Sequence, residues 1–435
     1  MVCPMKDNSH FDLIVIGGGP SGMMCAGRAA EMGARVLLLE KNKNLGEKLK
    51  MTGGGRCNIT NAILDNRAFL ANFPQSKDFL FSPFSKFSVK DTFDFFESHN
   101  LPLVTEARNR VFPLSQKAED VFITLEKYMH KYNVTIIRDA RVSGITEKKG
   151  HVVSVQTKDK KEYFASNIAL ATGGASAPST GSTGDGFKFL EKLGHTVKSA
   201  NPNVVPLTVK EKWVHALSGT ALTFMTIRFK QGGKTKLKKT GKILFTHFGL
   251  SGPLILNSSY EVKKLLNTGE VIASVDMFPD TEENELDRRV WRLFEQNKNK
   301  KIKNVLPELL QKNLAEVFLQ LPGIVGPETE VNEITKEQRK AMVKQMKDMS
   351  FTITGTLGLD KAIIADGGVI LEEVNFKNMT SKLFPNLYLL GDVLNINRPS
   401  GGFSLQLCWT TGWVAGSDVG EKIPVSQKRD SKDAV

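Results

Sequence analysis

One stretch, residues 11–40, constrains the fold more than any other. Residues 11–16 read Phe-Asp-Leu-Ile-Val-Ile, an apolar run long enough for one buried parallel strand. The run enters Gly17, Gly19 and Gly22 in G-x-G-x-x-G spacing, with Pro20 and Ser21 inside the turn. Residues 23–32 are rich in Ala and Met and lack β-branching, which predicts a helix. A second apolar strand over 36–39 ends at Glu40. The first glycine allows a sharp exit from the strand, and the second lets a pyrophosphate approach the backbone. The third lets helix and strand pack closely, with the helix N–H groups facing the anion. Glu40 stands where a carboxylate can accept hydrogen bonds from ribose hydroxyls.

A chain of 435 residues predicts two or three domains. Hydrophobic residues make up 40% and charged residues 24%, the composition of a soluble globular protein. No apolar run reaches the length of a membrane span, and residues 1–10 lack the apolar core of a signal peptide. Cys3, Cys25, Cys57 and Cys408 show no metal-ligand or dithiol spacing. That predicts no zinc site and a reducing, cytoplasmic setting. The net charge of +13 points toward a polyanionic partner, nucleic acid first.

Further along, Gly53, Gly54 and Gly55 precede Arg56, Cys57 and Asn58. Three glycines permit a backbone pressed against a flat or anionic ligand, Arg56 can pair with phosphate, and Asn58 suits a ring edge. Residues 62–130 read as mainly helical, and 134–164 as a small β-meander. A buried strand over 167–170 runs into Thr172, Gly173 and Gly174, and a helix is expected over 187–193. Prolines near 201–206 mark a boundary, after which strand-like and then helical pieces suggest an inserted β-plus-helix domain to residue 350. Within it, Arg228, Lys230, Lys234, Lys236, Lys238, Lys239 and Lys242 run without an intervening acid, and Lys298, Lys300, Lys301 and Lys303 form a second cluster. Both fit a phosphate-backbone grip. His247, in a motif-like loop, is a candidate acid, base or uracil-edge partner. A last buried strand ends at Gly391 and Asp392, and Gly401 and Gly402 open a helix beginning near Phe403. That helix N-terminus suits the anionic edge of a reduced flavin. The expected division is 1–203, 204–350 and 351–423, with a disordered tail over 424–435.

Residues 53–58, 171–176, 180–186, 245–253 and 400–406 together resemble the BaiN/YhiN-like FAD-dependent flavoproteins, in order along nearly the whole chain. The resemblance implies an α/β fold: a split Rossmann-like FAD-binding domain of the two-dinucleotide-binding-domain type, with an inserted β-barrel and helical subdomain. It implies non-covalent FAD with Gly17, Gly19, Gly22, Glu40, Arg56, Gly173, Asp392, Gly402 and Phe403 around it. Pro20, Ser21, Lys41, Gly54, Gly55, Cys57, Asn58, Thr172, Gly174, Gly391 and Gly401, in the same stretches, are further cofactor-binding candidates. It also implies NAD(P)H as a transient electron donor and no metal. The family's linked activities are reduction of uridine to dihydrouridine in large-subunit ribosomal RNA, bile-acid ring reduction and aminoacetone oxidation. Cys57, Cys408, His247 and Arg398 are the catalytic candidates. Where the family carries Gly-Glu, this chain has Gly391-Asp392, which keeps a carboxylate. The rival expectation is a small-molecule amine oxidase or enoate/steroid-type reductase.

Overall fold

A computed structural model describes residues 10–202, 204–358 and 365–424. The chain divides into two compact units, residues 1–201 with 365–435, and residues 202–364.

The first unit is built on a seven-stranded sheet. His10–Ile16 lies at its centre, parallel to Val36–Leu39 on one side and to Glu162–Leu170 on the other. Leu13 to Ile16 are at most 4% exposed, so both faces of this strand are covered. That is why its sequence runs continuously apolar instead of alternating. Thr135–Ile137 extends the parallel layer beyond Val36–Leu39. Glu162–Leu170 serves two neighbours along one edge. Its first half pairs antiparallel with His151–Thr157, and its second half pairs parallel with Leu387–Leu389. Late chain is thereby returned to the sheet begun by early chain.

Two expectations change here. Thr135–Ile137 belongs to the parallel layer, not to the meander. The segments expected at 162–164 and 167–170 are one strand, with a more exposed first half on the meander and a buried second half in the core. Residues 62–130 are mainly helical, as expected, and also hold Leu103–Glu106 and Arg110–Pro113, which form a small sheet with Thr60–Asn61.

The last helix, Phe403–Lys422, packs along the first, Pro20–Glu31. Gly412, Gly416 and Gly420, spaced one turn apart, form the seam. A Cβ on Gly412 would lie 2.5 Å from the Ser21 carbonyl oxygen, and one on Gly416 2.6 Å from that of Cys25. The two backbones approach too closely for any side chain.

The second unit holds a closed six-stranded barrel in the order Leu207–Val209, Gly249–Ser251, Lys234–Thr246, Ala221–Gln231, Val271–Asp276, Met349–Thr356. Alternate residues fill it, among them Ile227, Phe229, Ile243, Phe245, Ala273 and Phe351. Met349–Thr356 pairs with both Val271–Asp276 and Leu207–Val209 and so closes the barrel. The return to the first unit therefore falls after residue 364, not at 351 as expected. Helices Pro253–Leu266, Glu283–Gln296 and Lys336–Lys347 belong to this unit; the first of them carried no sequence expectation. Apart from Pro424, the expected tail lies outside the described residues. No helix among the described residues is long and apolar enough to cross a membrane.

Candidate cofactor site

The glycine turn after the first strand is sterically over-determined. Gly17 has φ +108°, and a Cβ there would lie 2.5 Å from the Ala171 carbonyl oxygen. A Cβ on Gly22 would lie 2.0 Å from the carbonyl oxygen of Gly17. Gly19 differs: no atom lies within 4 Å of its virtual Cβ. The turn thus presents open backbone at the N-terminus of Pro20–Glu31, whose first turn carries no acid. Anions are favoured at such an end.

Glu40 is 7% exposed and ties the turn to the second strand. It accepts from Gly18 N–H at 2.7 Å and from Asn42 N–H at 2.8 Å. Burial raises its pKa, and those backbone donors partly offset the rise. Lys41 donates to Thr183 Oγ1 at 2.7 Å and Asp185 Oδ2 at 2.9 Å, joining this edge to the helix Asp185–Lys192.

The late segments come to the same place. Gly391 has φ +59°, and a Cβ there would lie 2.8 Å from Ser21 Oγ and 3.4 Å from Cys408 Sγ. A Cβ on Gly174 would lie 3.3 Å from the Asp392 carbonyl oxygen. The Asp392 carboxylate receives Arg398, which is 3% exposed, and lies 3.6 Å from Lys48 Nζ. Burial opposes ionisation of Asp392, but Arg398 and Lys48 outweigh it and hold the carboxyl below its ordinary range. Lys48 also donates to the buried Ser176 Oγ at 2.5 Å. Neither Lys48 nor Ser176 was singled out from sequence; nothing local marks them, and only the fold joins them to Asp392.

The triple-glycine loop behaves otherwise. Gly53, Gly54 and Gly55 all have positive φ, yet Gly54 and Gly55 meet nothing within 4 Å. Arg56 donates through Nη1 to Glu106 at 3.0 Å and Gln116 at 2.8 Å and lies over the Phe112 ring. Glu106 of the small sheet thus meets its charge. Asn58 Oδ1 and Thr172 Oγ1 are buried without a partner among the described residues. Phe403 is a core aromatic, its ring 4.9 Å from that of Phe69. Gly402 is required because a Cβ would lie 2.3 Å from the Thr60 carbonyl, and Asn61 donates to the Gly401 carbonyl at 3.1 Å.

Of the four catalytic candidates, Cys57 and Cys408 are buried thiols. Burial pushes Cys57 up to about 12, eased by the Thr52 hydroxyl. Burial and the Asp392 charge push Cys408 up to about 12. Both keep their protons at neutral pH and are poor nucleophiles. The donors of Arg398 are engaged by Asp392, the Ile396 carbonyl and Ser404 Oγ, so it acts on Asp392 within the chain. His247 is exposed in the second unit, in the turn between Lys234–Thr246 and Gly249–Ser251.

The basic cluster of the second unit is partly compensated, contrary to the expectation of a run without partners. Arg228 pairs with Asp276 at 3.1 Å, Lys230 with Asp348 at 2.8 Å and Lys239 with Glu261 at 3.6 Å. Lys298 pairs with Glu295, and Lys301 and Lys303 share Glu328. Lys234, Lys236, Lys238 and Lys242 are exposed and form no ion pair among the described residues.

A profile described as the HI0933-like protein Rossmann domain matches residues 11–418. The chain belongs to this family. The HI0933-like chain is an FAD-dependent oxidoreductase. The open face at Gly19 and the unpartnered Asn58 Oδ1 and Thr172 Oγ1 fit such a cofactor. The protein is 28% identical over 411 residues to the "Ribosomal RNA dihydrouridine synthase" of Escherichia coli strain K12, spanning 94% of this chain and 98% of that one. It is 30% identical over 413 residues to the "3-dehydro-bile acid delta(4,6)-reductase" of Clostridium scindens, again over 94% and 98%. In fold it is similar to a 3-ketosteroid-delta4-(5alpha)-dehydrogenase from Rhodococcus jostii RHA1, with TM-score 0.53, 15% identity and coverage of 96% and 98%.

Proposed function

We propose that this HI0933-like protein reduces a uridine to dihydrouridine in large-subunit ribosomal RNA, with NAD(P)H as the electron donor. The observation that carries the choice of RNA is the set of exposed, unpaired lysines at 234, 236, 238 and 242, for which a small apolar substrate has no use. Full-length similarity to a protein named for this reaction supports it.

Bound FAD supplies a hydride from N5 of its reduced ring. The chain's own residues hold and tune that cofactor. Gly17, Gly19 and Gly22, with Pro20 and Ser21, would offer backbone to the pyrophosphate, and Glu40 would accept from the ribose. Thr172, Gly173 and Gly174 would line one side of the cofactor, and Gly391, Asp392, Gly401 and Gly402 the other. Lys48 and Arg398 keep Asp392 ionised, as an acceptor for hydroxyl donors. Asn58 has an unpartnered acceptor for an N–H or hydroxyl. Uracil presents a carbon–carbon double bond conjugated to a carbonyl, so hydride addition at one carbon leaves the other to be protonated. Cys57 and Cys408 are the groups of the first unit from which that proton would come, and the target base would have to be unpaired or flipped out.

One observation favours a second reading. The similarity to the bile-acid reductase is as extensive, and its name describes reduction of conjugated double bonds in a small molecule. Mass-spectrometric mapping of dihydrouridine in ribosomal RNA, with and without the gene, separates the two. Loss of one dihydrouridine in the deletion strain supports the RNA reading, and an unchanged content favours the small-molecule one.

A further inference from the structure

Resting on the RNA reading, we propose that Phe224 and the lysines of Lys234–Thr246 form a contact for single-stranded RNA, with the ring stacking on a base and the lysines holding phosphates.

Phe224 is unusual in two independent ways. Its ring is 70% exposed, more than any other large hydrophobic residue noted among the described ones. Its backbone has φ +59°, a left-handed conformation that disfavours a bulky side chain. The cause is an irregularity in the ladder. Leu222 pairs with Ile243 and Met225 with Gly241, so Thr223 and Phe224 together face the single residue Lys242. Bulges of this kind re-aim a side chain and are frequent beside functional surfaces. The core below does not need the ring, for Leu222, Ile227 and Ile243 are at most 2% exposed without it.

The surroundings select the partner. Lys242 lies directly across the bulge. Two positions along the strand, the hydroxyls of Thr240 and Thr226 bond each other at 2.7 Å. Lys238 comes next, opposite Arg228, whose own charge is met by Asp276. Lys238 and Lys242 therefore remain as unpaired cations on the ribbon that carries the ring, with Lys236 and Lys234 continuing toward its tip. An exposed aromatic face beside unpaired cations is the arrangement that binds single strands, because every unpaired base has a π-face and duplex bases do not offer theirs. A protein partner would more commonly bring an apolar surface to the ring and acids to the lysines.

The test uses the full FAD-loaded chain and fluorescence anisotropy with a labelled mixed-sequence oligoribonucleotide, single-stranded and as a duplex. Phe224→Gly removes the ring and relieves the backbone, so its thermal midpoint should not fall. It should bind the single strand roughly tenfold more weakly, the loss of one base stack. Phe224→Trp should bind within about twofold of wild type. Lys238→Gln with Lys242→Gln should lower the slope of log affinity against log salt by about 1.4, at about 0.7 per phosphate contact. Equal affinity of Phe224→Gly and wild type overturns the proposal. So does a preference for the duplex, or a wild-type protein that binds neither RNA. Dihydrouridine mapping in the deletion strain reads the underlying function separately. A lost dihydrouridine with no effect of Phe224→Gly sinks the contact alone, whereas an unchanged dihydrouridine content sinks the substrate reading.

Discussion

Glycines in two parts of the first unit are required for opposite reasons. At Gly17, Gly22, Gly412 and Gly416 a Cβ would strike backbone at 2.0–2.6 Å, so these positions are fixed by close packing. At Gly54 and Gly55 a Cβ would meet nothing within 4 Å, and only the positive φ demands glycine. The first group makes the fold: it lets early strand, first helix and last helix share one seam. The second lets an exposed loop turn, as Gly150, Gly194 and Gly232 do with equally open surroundings and positive φ. Close packing of a glycine, not open space, marks the scaffold.

The largest expected effect breaks the packed group. Gly22→Val puts a branched side chain where only 2.0 Å separates a Cβ from the Gly17 carbonyl oxygen. Its unfolding free energy should fall by about 3 kcal/mol, measured by denaturant titration. A stable variant would show that the turn relaxes easily and that the contrast is overstated.

The charged junction between early and late chain comes next. Asp392→Asn leaves Arg398 and Lys48 without their counter-charge. The expected loss is about 2 kcal/mol at neutral pH, less than for a fully buried pair because the Asp392 side chain is 21% exposed. The sign with pH follows from the lowered pKa. The ionised carboxylate contributes stability above its ordinary value near 3.8, and this is lost as pH falls through the lower folded value. The wild-type advantage over Asp392→Asn should therefore shrink below about pH 4, checked by urea midpoints from pH 7 to pH 3.

Gly54→Ala sharpens the other side of the comparison. With φ +69° and open space around it, the variant should lose only about 1 kcal/mol, all of it backbone strain. A loss as large as that of Gly22→Val would mean the loop is packed after all. The smallest effect concerns Cys57, buried beside those open glycines. With its thiol pushed up to about 12, alkylation by iodoacetamide should stay slow through pH 9 and show no inflection there. Rapid labelling near neutral pH would show the loop to be open over the thiol.

The parts of the fold legible in the sequence were those whose reasons are local. The turn at Gly17 to Gly22, the acid at Glu40 and the apolar strand before them lie within one short stretch, and the structure brings them together as strand, turn, helix and second strand. The parts not legible depend on distant chain. Arg228 and Lys230 looked uncompensated because their partners, Asp276 and Asp348, lie 48 and 118 residues away. The partner of Arg56, Glu106, lies 50 residues away in the chain. The ring of Phe403 packs against those of Phe69 and Phe73, which come from far earlier in the chain. Thr135–Ile137 carries the alternation of a meander strand, and only its neighbour Val36–Leu39 reveals the parallel layer. The seam of Gly412, Gly416 and Gly420 repeats at helical spacing, a signal present in the sequence, but the helix it meets, Pro20–Glu31, lies at the other end of the chain.

The most direct measurement is the flavin content of the purified protein, by absorbance after denaturation and chromatographic identification. The expected result is FAD at close to one per chain, released on unfolding and largely absent from Gly22→Val. A colourless protein that cannot be reconstituted with FAD, although folded, would contradict the claim that the early and late glycine-bearing strand ends hold one cofactor.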